Sequence, residues 1–210
     1  MKSKDLIMKH IILFLALALS LVNTSNAAVS VSPVHLGVAH DTRSTSLKFI
    51  NDTDKESVID VRVFKWVGQK DDGSDILEDT NSIILSRPVV MVPAHGELTI
   101  RIIVKTRTSN AEDAYRVVVT DITPAAKDGT VAVRMNSVLP LFVLNAKNSR
   151  GVLKLNDGVL TNTGDRHVRI GGYTDRNGDQ VKMLRYVFPG QSISLSVQSG
   201  GDVIASDDIY

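Results

Sequence analysis

The chain has 210 residues, no cysteine, and nearly equal numbers of basic and acidic residues, 24 and 23. This balance of charge argues against a nucleic-acid-binding surface. Because there is no cysteine, the stability of the folded chain has to come from apolar burial rather than from disulfide bonds.

Residues 1–27 have the pattern of a secretory signal peptide. Three lysines precede the apolar run IILFLALALSLV, and the small-residue site Ser25-Asn26-Ala27 follows it. The run is shorter than the roughly twenty residues that span a bilayer. The sequence therefore predicts an exported chain without membrane insertion, and the part after residue 27 carries 21 basic and 22 acidic residues.

Short alternating or β-branched runs separated by turn residues continue from residue 28 to about residue 144. In one of them Ile59, Val61 and Val63 share a face, as in a half-buried antiparallel strand. Seven strands in about 115 residues is the size of an immunoglobulin-like sandwich, so we predict such a domain over residues 28–146. The seven runs are AVSVSPVHLGV, STSLKFI, SVIDVRVFKWV, SIILSRPVVMV, ELTIRIIV, AYRVVVTDI and TVAVRMNSVLPLFVL.

A second series of strands follows the polar stretch at residues 145–151, which suits a linker. It is short for a complete sandwich, and we predict a small β-sandwich domain over residues 147–210. The predicted fold class is therefore all-β, with two immunoglobulin-like domains of which the second is small. The runs of the second series are VLKL, GVLTNT, HVRIGGYT, QVKMLRYVF, SISLSV and DVIAS.

Catalytic and metal-binding patterns are weak in this sequence. His35 and His40 are five apart in a predicted strand, which points them to opposite faces. The acidic turns at residues 71–75 and 175–179 lack the glutamate that closes an EF-hand loop, so Asx turns are the better interpretation. No serine lies in a Gly-x-Ser-x-Gly elbow. We predict neither an enzyme nor a cofactor or metal site.

Two arginines stand inside apolar strands. Arg116 shares a face with Val118 and Thr120 in AYRVVVTDI, and Arg101 lies within LTIRIIVK. Each could simply occupy the solvent face of a strand. The alternative is that a guanidinium on a rigid strand beside a cleft offers a fork for a carboxylate.

The run at residues 130–144 is long for a strand and changes its pattern midway. In its first half Val131, Val133 and Met135 form one apolar face, whereas the second half, residues 138–144, is apolar on both faces. The second half suits burial within the domain. The first-half face could cover the domain's own core or be presented to a partner, and the pattern does not distinguish these alternatives.

Taken in order, several segments resemble the PapD-like periplasmic chaperones of chaperone-usher pili. They are the export signal, the start AVSVSP, the Trp66 strand, RPVVMVPAHGELTIRI, AYRVVVTDI, the 130–144 run, and then GVLTNTGDRHVRI and FPG. The resemblance covers nearly the whole chain after residue 27. The AYRVVV strand and the SVLPLFV ending look closer to the archaic (Csu-type) branch.

The resemblance implies a boomerang of two domains that lends its last first-domain strand to an incomplete pilus subunit, a mode called donor-strand complementation. Val131, Val133 and Met135 would be the donor residues. Partners would be pilus subunits and an outer-membrane usher in the periplasm, and self-association of the free chaperone is left open.

The resemblance also implies an anchor for the subunit's C-terminal carboxylate. The two positions that carry basic residues in the conventional branch align with His35 and Pro140, neither of which has a permanent charge. The archaic branch resembles this sequence in using an arginine of the sixth strand, here Arg116. We therefore expect Arg116 as the principal anchor, assisted by His35 or Arg101.

Two other functions compete with this interpretation. A structural pilus subunit should be one incomplete domain led by a free alternating strand, whereas this chain has two strand series. A periplasmic β-sandwich that binds a small ligand usually presents exposed aromatic residues, and the single tryptophan, Trp66, is the only candidate platform. Core packing is the better interpretation for Trp66.

Overall fold

The computed structural model of the chain describes residues 29–107, 110–124, 134–147, 149–197 and 202–206. The regular structure within these ranges consists of β-strands, which confirms the predicted all-β class. None of the described residues belongs to a helix long and apolar enough to cross a membrane. The predicted signal peptide, residues 1–27, lies outside the described ranges.

Within the described ranges, ten strands form the first sandwich, in two sheets of order β1-β3-β8-β6 and β2-β10-β9-β4-β5, with β7 also beside β4. Their bounds are β1 (Val29–Ser32), β2 (Leu36–Val38), β3 (Ser44–Asn51), β4 (Ser57–Gln69), β5 (Asp75–Asp79), β6 (Ile83–Leu85), β7 (Val89–Val92), β8 (Glu97–Val104), β9 (Asp113–Asp121) and β10 (Asn136–Val143).

All seven predicted runs form strands, but two of them divide between the sheets. The first run passes from β1 to β2 at Pro33, and the fourth passes from β6 to β7 at Pro88. A proline has no N–H to donate to a ladder, and at these two prolines the chain leaves one sheet and enters the other. Each break lets one run contribute to both layers of the sandwich.

The core of the first sandwich follows the predicted alternation. Ile59 and Val61 of β4 and Val117 and Val119 of β9 are buried in it, and Val63 packs against it in part. The intervening residues face away from the core, because successive side chains of a strand point to opposite faces. The outer face of this sheet therefore carries Trp66, Arg116 and their neighbours.

In the part of the second sandwich that the structure describes, six strands form two three-stranded sheets of order β11-β12-β15 and β14-β13-β16. Each of the six predicted runs contains one of them, and a separate core includes Leu160, Ile170 and Val187. The predicted architecture of two sandwiches, the second small, is thereby confirmed. The bounds are β11 (Leu153–Asn156), β12 (Val159–Asn162), β13 (Val168–Thr174), β14 (Gln180–Val187), β15 (Ser192–Ser194) and β16 (Val203–Ser206).

An aromatic cluster joins the two sandwiches. Trp66 and Phe142 come from the first, and Tyr186 and Phe188 from the second. The Trp66 ring lies 4.9 Å from that of Tyr186 and 4.8 Å from that of Phe188, both edge to face. Such pairs contribute about 0.5–1.5 kcal/mol each beyond the area that they bury. Trp66 therefore packs in the interface, as the packing interpretation expected.

A buried acidic residue also crosses this interface. Glu112, just before β9, lies with an oxygen 2.5 Å from Nδ1 of His167, just before β13, and both side chains are fully buried. The backbone N–H of Glu112 donates to the carbonyl of Asp165 at 2.8 Å. The His167 ring stacks on Phe142 with centroids 3.7 Å apart. Polar and aromatic contacts thus fix the second sandwich against the end of β10.

Tyr115 of β9 makes the stability of the first sandwich sensitive to alkaline pH. Burial raises the pKa of its phenol to about 12, and the charge of Asp113 acts in the same direction. In the unfolded chain a tyrosine loses its proton at about pH 10. Between these values the unfolded state loses the proton that the folded state keeps, so the free energy of unfolding falls as the pH rises.

Replacing Tyr115 with phenylalanine should therefore flatten the alkaline loss of stability. We expect the urea midpoint of the wild type to fall more than that of Tyr115→Phe between about pH 9 and about pH 11.5. Tyr173→Phe, at a partly exposed ring of the second sandwich, is the control. Parallel pH profiles for the wild type and Tyr115→Phe would contradict the assignment.

Candidate functional site

The last strand of the first sandwich has an open edge. β10 pairs with β9 along its whole length, from Asn136 to Val143. On its other side, β2 pairs in parallel only with Leu141, Phe142 and Val143. Among the described residues, the outer edge of β10 from Asn136 to Pro140 therefore has no partner strand. Such an edge presents backbone N–H and C=O groups that can pair with an added strand.

The second half of the 130–144 run is buried on both faces from Leu139 to Val143, as predicted, whereas Val138 is exposed. Leu139, Leu141 and Val143 enter the core of the first sandwich. Pro140 and Phe142 face the other way and are also buried, Phe142 in the interdomain cluster. Val138 precedes them on this outer face with 50% of its surface exposed.

The predicted donor residues lie at the edge of the described chain. Val131 and Val133 fall outside it. Met135 is partly buried and packs against the core of its own sandwich, which is the alternative that the sequence left open for this face. The donor role of the three residues stays a prediction.

The strand register places two of the predicted anchor residues near one end of the open edge. Leu36, the first residue of β2, pairs with Leu141, and Pro140 pairs with Arg116 of β9. Pro140 and Arg116 thus form one row across the sheet, at the inner end of the open edge where β2 begins, and His35 is the residue just before β2. His35 is exposed and Pro140 is buried.

Arg116 is held firmly on the outer face of the sheet. Its Nε donates to Oδ2 of Asp75 at 2.7 Å and its Nη2 to Oδ1 at 3.1 Å, an ion pair with two parallel hydrogen bonds. Its guanidinium carbon lies 3.4 Å from the centroid of the Trp66 ring. The two charged side chains are only 12% and 19% exposed. Arg116 is therefore a shielded, paired cation rather than a solvated one.

A further hydrogen bond connects this pair with the second sandwich. Gln69 Nε2 donates to Oδ1 of Asp75 at 3.1 Å, and Gln69 Oε1 accepts the backbone N–H of Tyr186 at 2.9 Å. Tyr186 also places its ring 5.9 Å from the guanidinium carbon of Arg116. The surroundings of Arg116 are thus shared between both sandwiches.

Arg101 does not lie in this row. It belongs to β8, in the opposite sheet, and is exposed between the buried residues Ile100 and Ile102. Its side chain therefore points away from the core that separates the two sheets.

The other chemical motifs behave as local structure. Asp72 accepts hydrogen bonds from the backbone and hydroxyl of Ser74, and Asp175 accepts from the backbone of Asn177 and Asp179. These are the predicted Asx turns. Within the described ranges no three histidine or acidic side chains are grouped so that they could hold a metal ion.

The sequence analysis placed Asp75 in an acidic turn and predicted neither its ion pair with Arg116 nor the strand that it begins. β5 has exposed residues from Ile76 to Asp79, so it lacks the alternation by which the other strands were found. Residues 71–79 contain several acidic side chains, and no local pattern distinguishes the one that meets Arg116.

A family model described as the pili and flagellar-assembly chaperone, PapD N-terminal domain, matches residues 28–146. The chain therefore belongs to the PapD-type family of pilus-assembly chaperones. It is 27% identical over 196 residues to the probable fimbrial chaperone EcpB of Escherichia coli O157:H7, with 88% of each chain covered.

Solved structures show the same fold. The class 5 fimbriae chaperone CfaA has a TM-score of 0.67 at 14% identity, with 86% of this chain and 92% of that chain covered. The CsuC-CsuE pre-assembly complex from archaic Csu pili of Acinetobacter baumannii gives 0.60 at 17%, covering 81% and 91%. The SafA pilin complex with the SafB chaperone of Salmonella enterica gives 0.58 at 16%, covering 83% and 86%.

Proposed function

We propose that this chain is a periplasmic chaperone that captures pilus subunits by donating a strand and delivers them to an outer-membrane usher. The observation that carries the proposal is the open edge of β10 from Asn136 to Pro140, which ends at the row of Arg116. Main-chain hydrogen bonds along such an edge supply affinity, and alternate side chains supply specificity. The work of capture comes from burial and folding, without catalysis, a cofactor or a metal.

The donor segment includes Val131, Val133 and Met135, which precede β10 in the sequence. Each apolar side chain that a subunit buries contributes about 1.5–3 kcal/mol before ordering costs. Residues 28–146 form the donating domain in this proposal, and residues 147–210 form the second domain, which supports the inner end of the open edge.

Arg116 is the proposed anchor for the subunit's C-terminal carboxylate. Support comes from its place in the row beside Pro140 and from the planar fork that a guanidinium offers to a carboxylate. His35 is a proposed assistant, since it directly precedes Leu36, the first residue of β2 that pairs with β10. Arg101 has weaker support, because it belongs to the opposite sheet.

Within the family, we propose that the chain belongs to the archaic (Csu-type) branch. This membership is favoured by the arginine on β9 and by the absence of a permanently charged residue at positions 35 and 140. The Csu complex is one similar structure, but chaperones of other fimbriae are similar as well.

Native mass spectrometry of protein purified from periplasm tests the function. The chain is co-expressed with the exported proteins encoded beside it, as wild type, Arg116→Ala and the control Lys48→Ala. We expect a one-to-one complex with a small β-rich protein, unchanged in Lys48→Ala and weakened about thirtyfold or more in Arg116→Ala, because truncating one partner of a buried charge pair costs 2–5 kcal/mol. A wild type that appears only without a partner would overturn the proposed function.

A further inference from the structure

The guanidinium of Arg116 is turned away from the donor strand. In the sheet order β2-β10-β9-β4-β5, Arg116 stands on β9 with β10 on one side and β4 on the other. Its side chain lies over Trp66 of β4 and reaches Asp75 on β5. β5 is the second strand away from β9, on the side opposite to β10. The ion pair therefore draws the proposed anchor toward the edge of the sheet farthest from Pro140 and His35.

We infer that Asp75 is a built-in competitor for the ligand's carboxylate: in the free protein it occupies the fork of Arg116 that a subunit terminus has to take over. This inference rests on the proposed function, and specifically on Arg116 as the anchor. It makes Asp75 a residue that determines affinity and specificity, although Asp75 need not touch the ligand.

The electrostatics of the pair favour exchange over simultaneous binding. Arg116 and Asp75 neutralise each other in a site where their side chains are 12% and 19% exposed. A second carboxylate would leave an excess negative charge in this poorly solvated place, which is unfavourable. Replacing one carboxylate by another keeps the site neutral and keeps the guanidinium paired.

The geometry also provides for the displaced carboxylate. Asp75 is the first residue of β5, which is the edge strand of its sheet and follows the turn at residues 71–74. Its Oδ1 is already held by Gln69 at 3.1 Å. After exchange, Asp75 therefore keeps a hydrogen-bond donor and gains access to water at the edge of the sheet.

Such competition selects for charged ligands. A neutral group, such as a carboxamide, makes weaker hydrogen bonds with the guanidinium and does not replace the ion pair with Asp75, whereas a carboxylate does. Asp75 thus lowers the affinity of the site for every ligand but lowers it most for uncharged ones. The structure assigns the site to a chain terminus or another carboxylate rather than to a neutral segment.

Trp66 offers a direct readout of the exchange, because it is the only tryptophan of the chain and the guanidinium lies on its ring. Acetate serves as the minimal carboxylate probe and acetamide as its neutral counterpart, with chloride holding the ionic strength constant. The variants are Asp75→Asn, Arg116→Gln and the control Asp79→Asn. Asp79 is an exposed carboxylate on the same strand, so its removal changes the net charge equally.

We expect acetate to change the Trp66 fluorescence at a concentration about tenfold lower in Asp75→Asn than in the wild type or in Asp79→Asn. Acetamide should have no effect, and Arg116→Gln should not respond to acetate. An acetate affinity that is equal or weaker in Asp75→Asn would overturn the competition, and a weaker one would mean that Asp75 orients Arg116 for the ligand.

A second measurement does not depend on the folding of the Asp75 variant. In the wild type, acetate but not acetamide should shift the ¹⁵N resonance of the Arg116 Nε–H group, since this group leaves Asp75. An unchanged resonance at saturating acetate would overturn the inference. The proposed function is tested separately by subunit capture: exchange without capture would refute the chaperone role alone, and capture without exchange would refute the competition alone.

Discussion

Replacing Glu112 with alanine is expected to lower the free energy of unfolding by about 3–5 kcal/mol, because removal of one partner leaves buried polar groups without compensation. Glu112 contacts Nδ1 of His167 at 2.5 Å and accepts the backbone N–H of His167 at 3.3 Å. Arg166 places its Nε 3.6 Å from the other carboxylate oxygen. All of these contacts cross from one sandwich to the other.

Two experiments check this prediction: urea unfolding gives the free energy of unfolding, and scanning calorimetry gives the thermal transition. Glu97→Ala is the matched control, since Glu97 pairs with Lys48 on the surface with 64% of its side chain exposed. The control should change the free energy of unfolding by about 0–1 kcal/mol. We also expect the calorimetric transition of Glu112→Ala to separate into two as the sandwiches uncouple. If Glu112→Ala and Glu97→Ala lowered the free energy of unfolding by the same small amount, the contacts of Glu112 with Arg166 and His167 would not be what joins the sandwiches.

Replacing Val138 with arginine is expected to reduce subunit capture by about a hundredfold or more, because a charged side chain is not accommodated in an apolar contact. Val138 is half exposed on the outer face of β10, beside the open edge and just before Pro140. In the free protein this position is solvated, so the free energy of unfolding should change by less than about 0.5 kcal/mol.

The companion variant Val133→Arg places the same charge among the proposed donor residues, so it should weaken capture at least as much as Val138→Arg. Both are measured as dissociation constants for the subunit recovered with the wild type, with unfolding curves recorded in parallel. A loss of capture in Val133→Arg alone would place the contact on the face of Val131, Val133 and Met135. If neither variant weakened capture, the segment would not be the donor.

Local pattern was enough to predict most of the strands, because alternation reports directly which face of a strand is buried. Ile59 and Val61 on β4, and Val117 and Val119 on β9, are examples. The pattern failed at β5, whose side chains from Ile76 to Asp79 are exposed and therefore carry no period. The pattern also predicted one continuous strand across Pro33, although the chain changes sheets there.

The arrangement of the site could not be predicted from local sequence pattern, because it depends on pairing between distant segments of the chain. The approach of His35 to the row of Pro140 and Arg116 depends on the pairing of β2 with β10 and of β10 with β9, and the first of these joins segments about a hundred residues apart in the chain. Resemblance to a family suggested the anchor Arg116, but its ion pair with Asp75 depends on the position of an edge strand that the sequence did not predict.

The short strand β2 also acts as a stop for any strand added to the sheet. The open edge of β10 from Asn136 to Pro140 measures about 17 Å at the rise of a parallel strand, and it ends where β2 begins to pair at Leu141. A guest strand must therefore end beside Pro140, next to Arg116. If that end is the carboxyl terminus, the guest runs parallel to β10. Because a slip of one residue would turn every side chain to the wrong face, a guest anchored by its carboxyl terminus at this stop would have one register, set by its last residue.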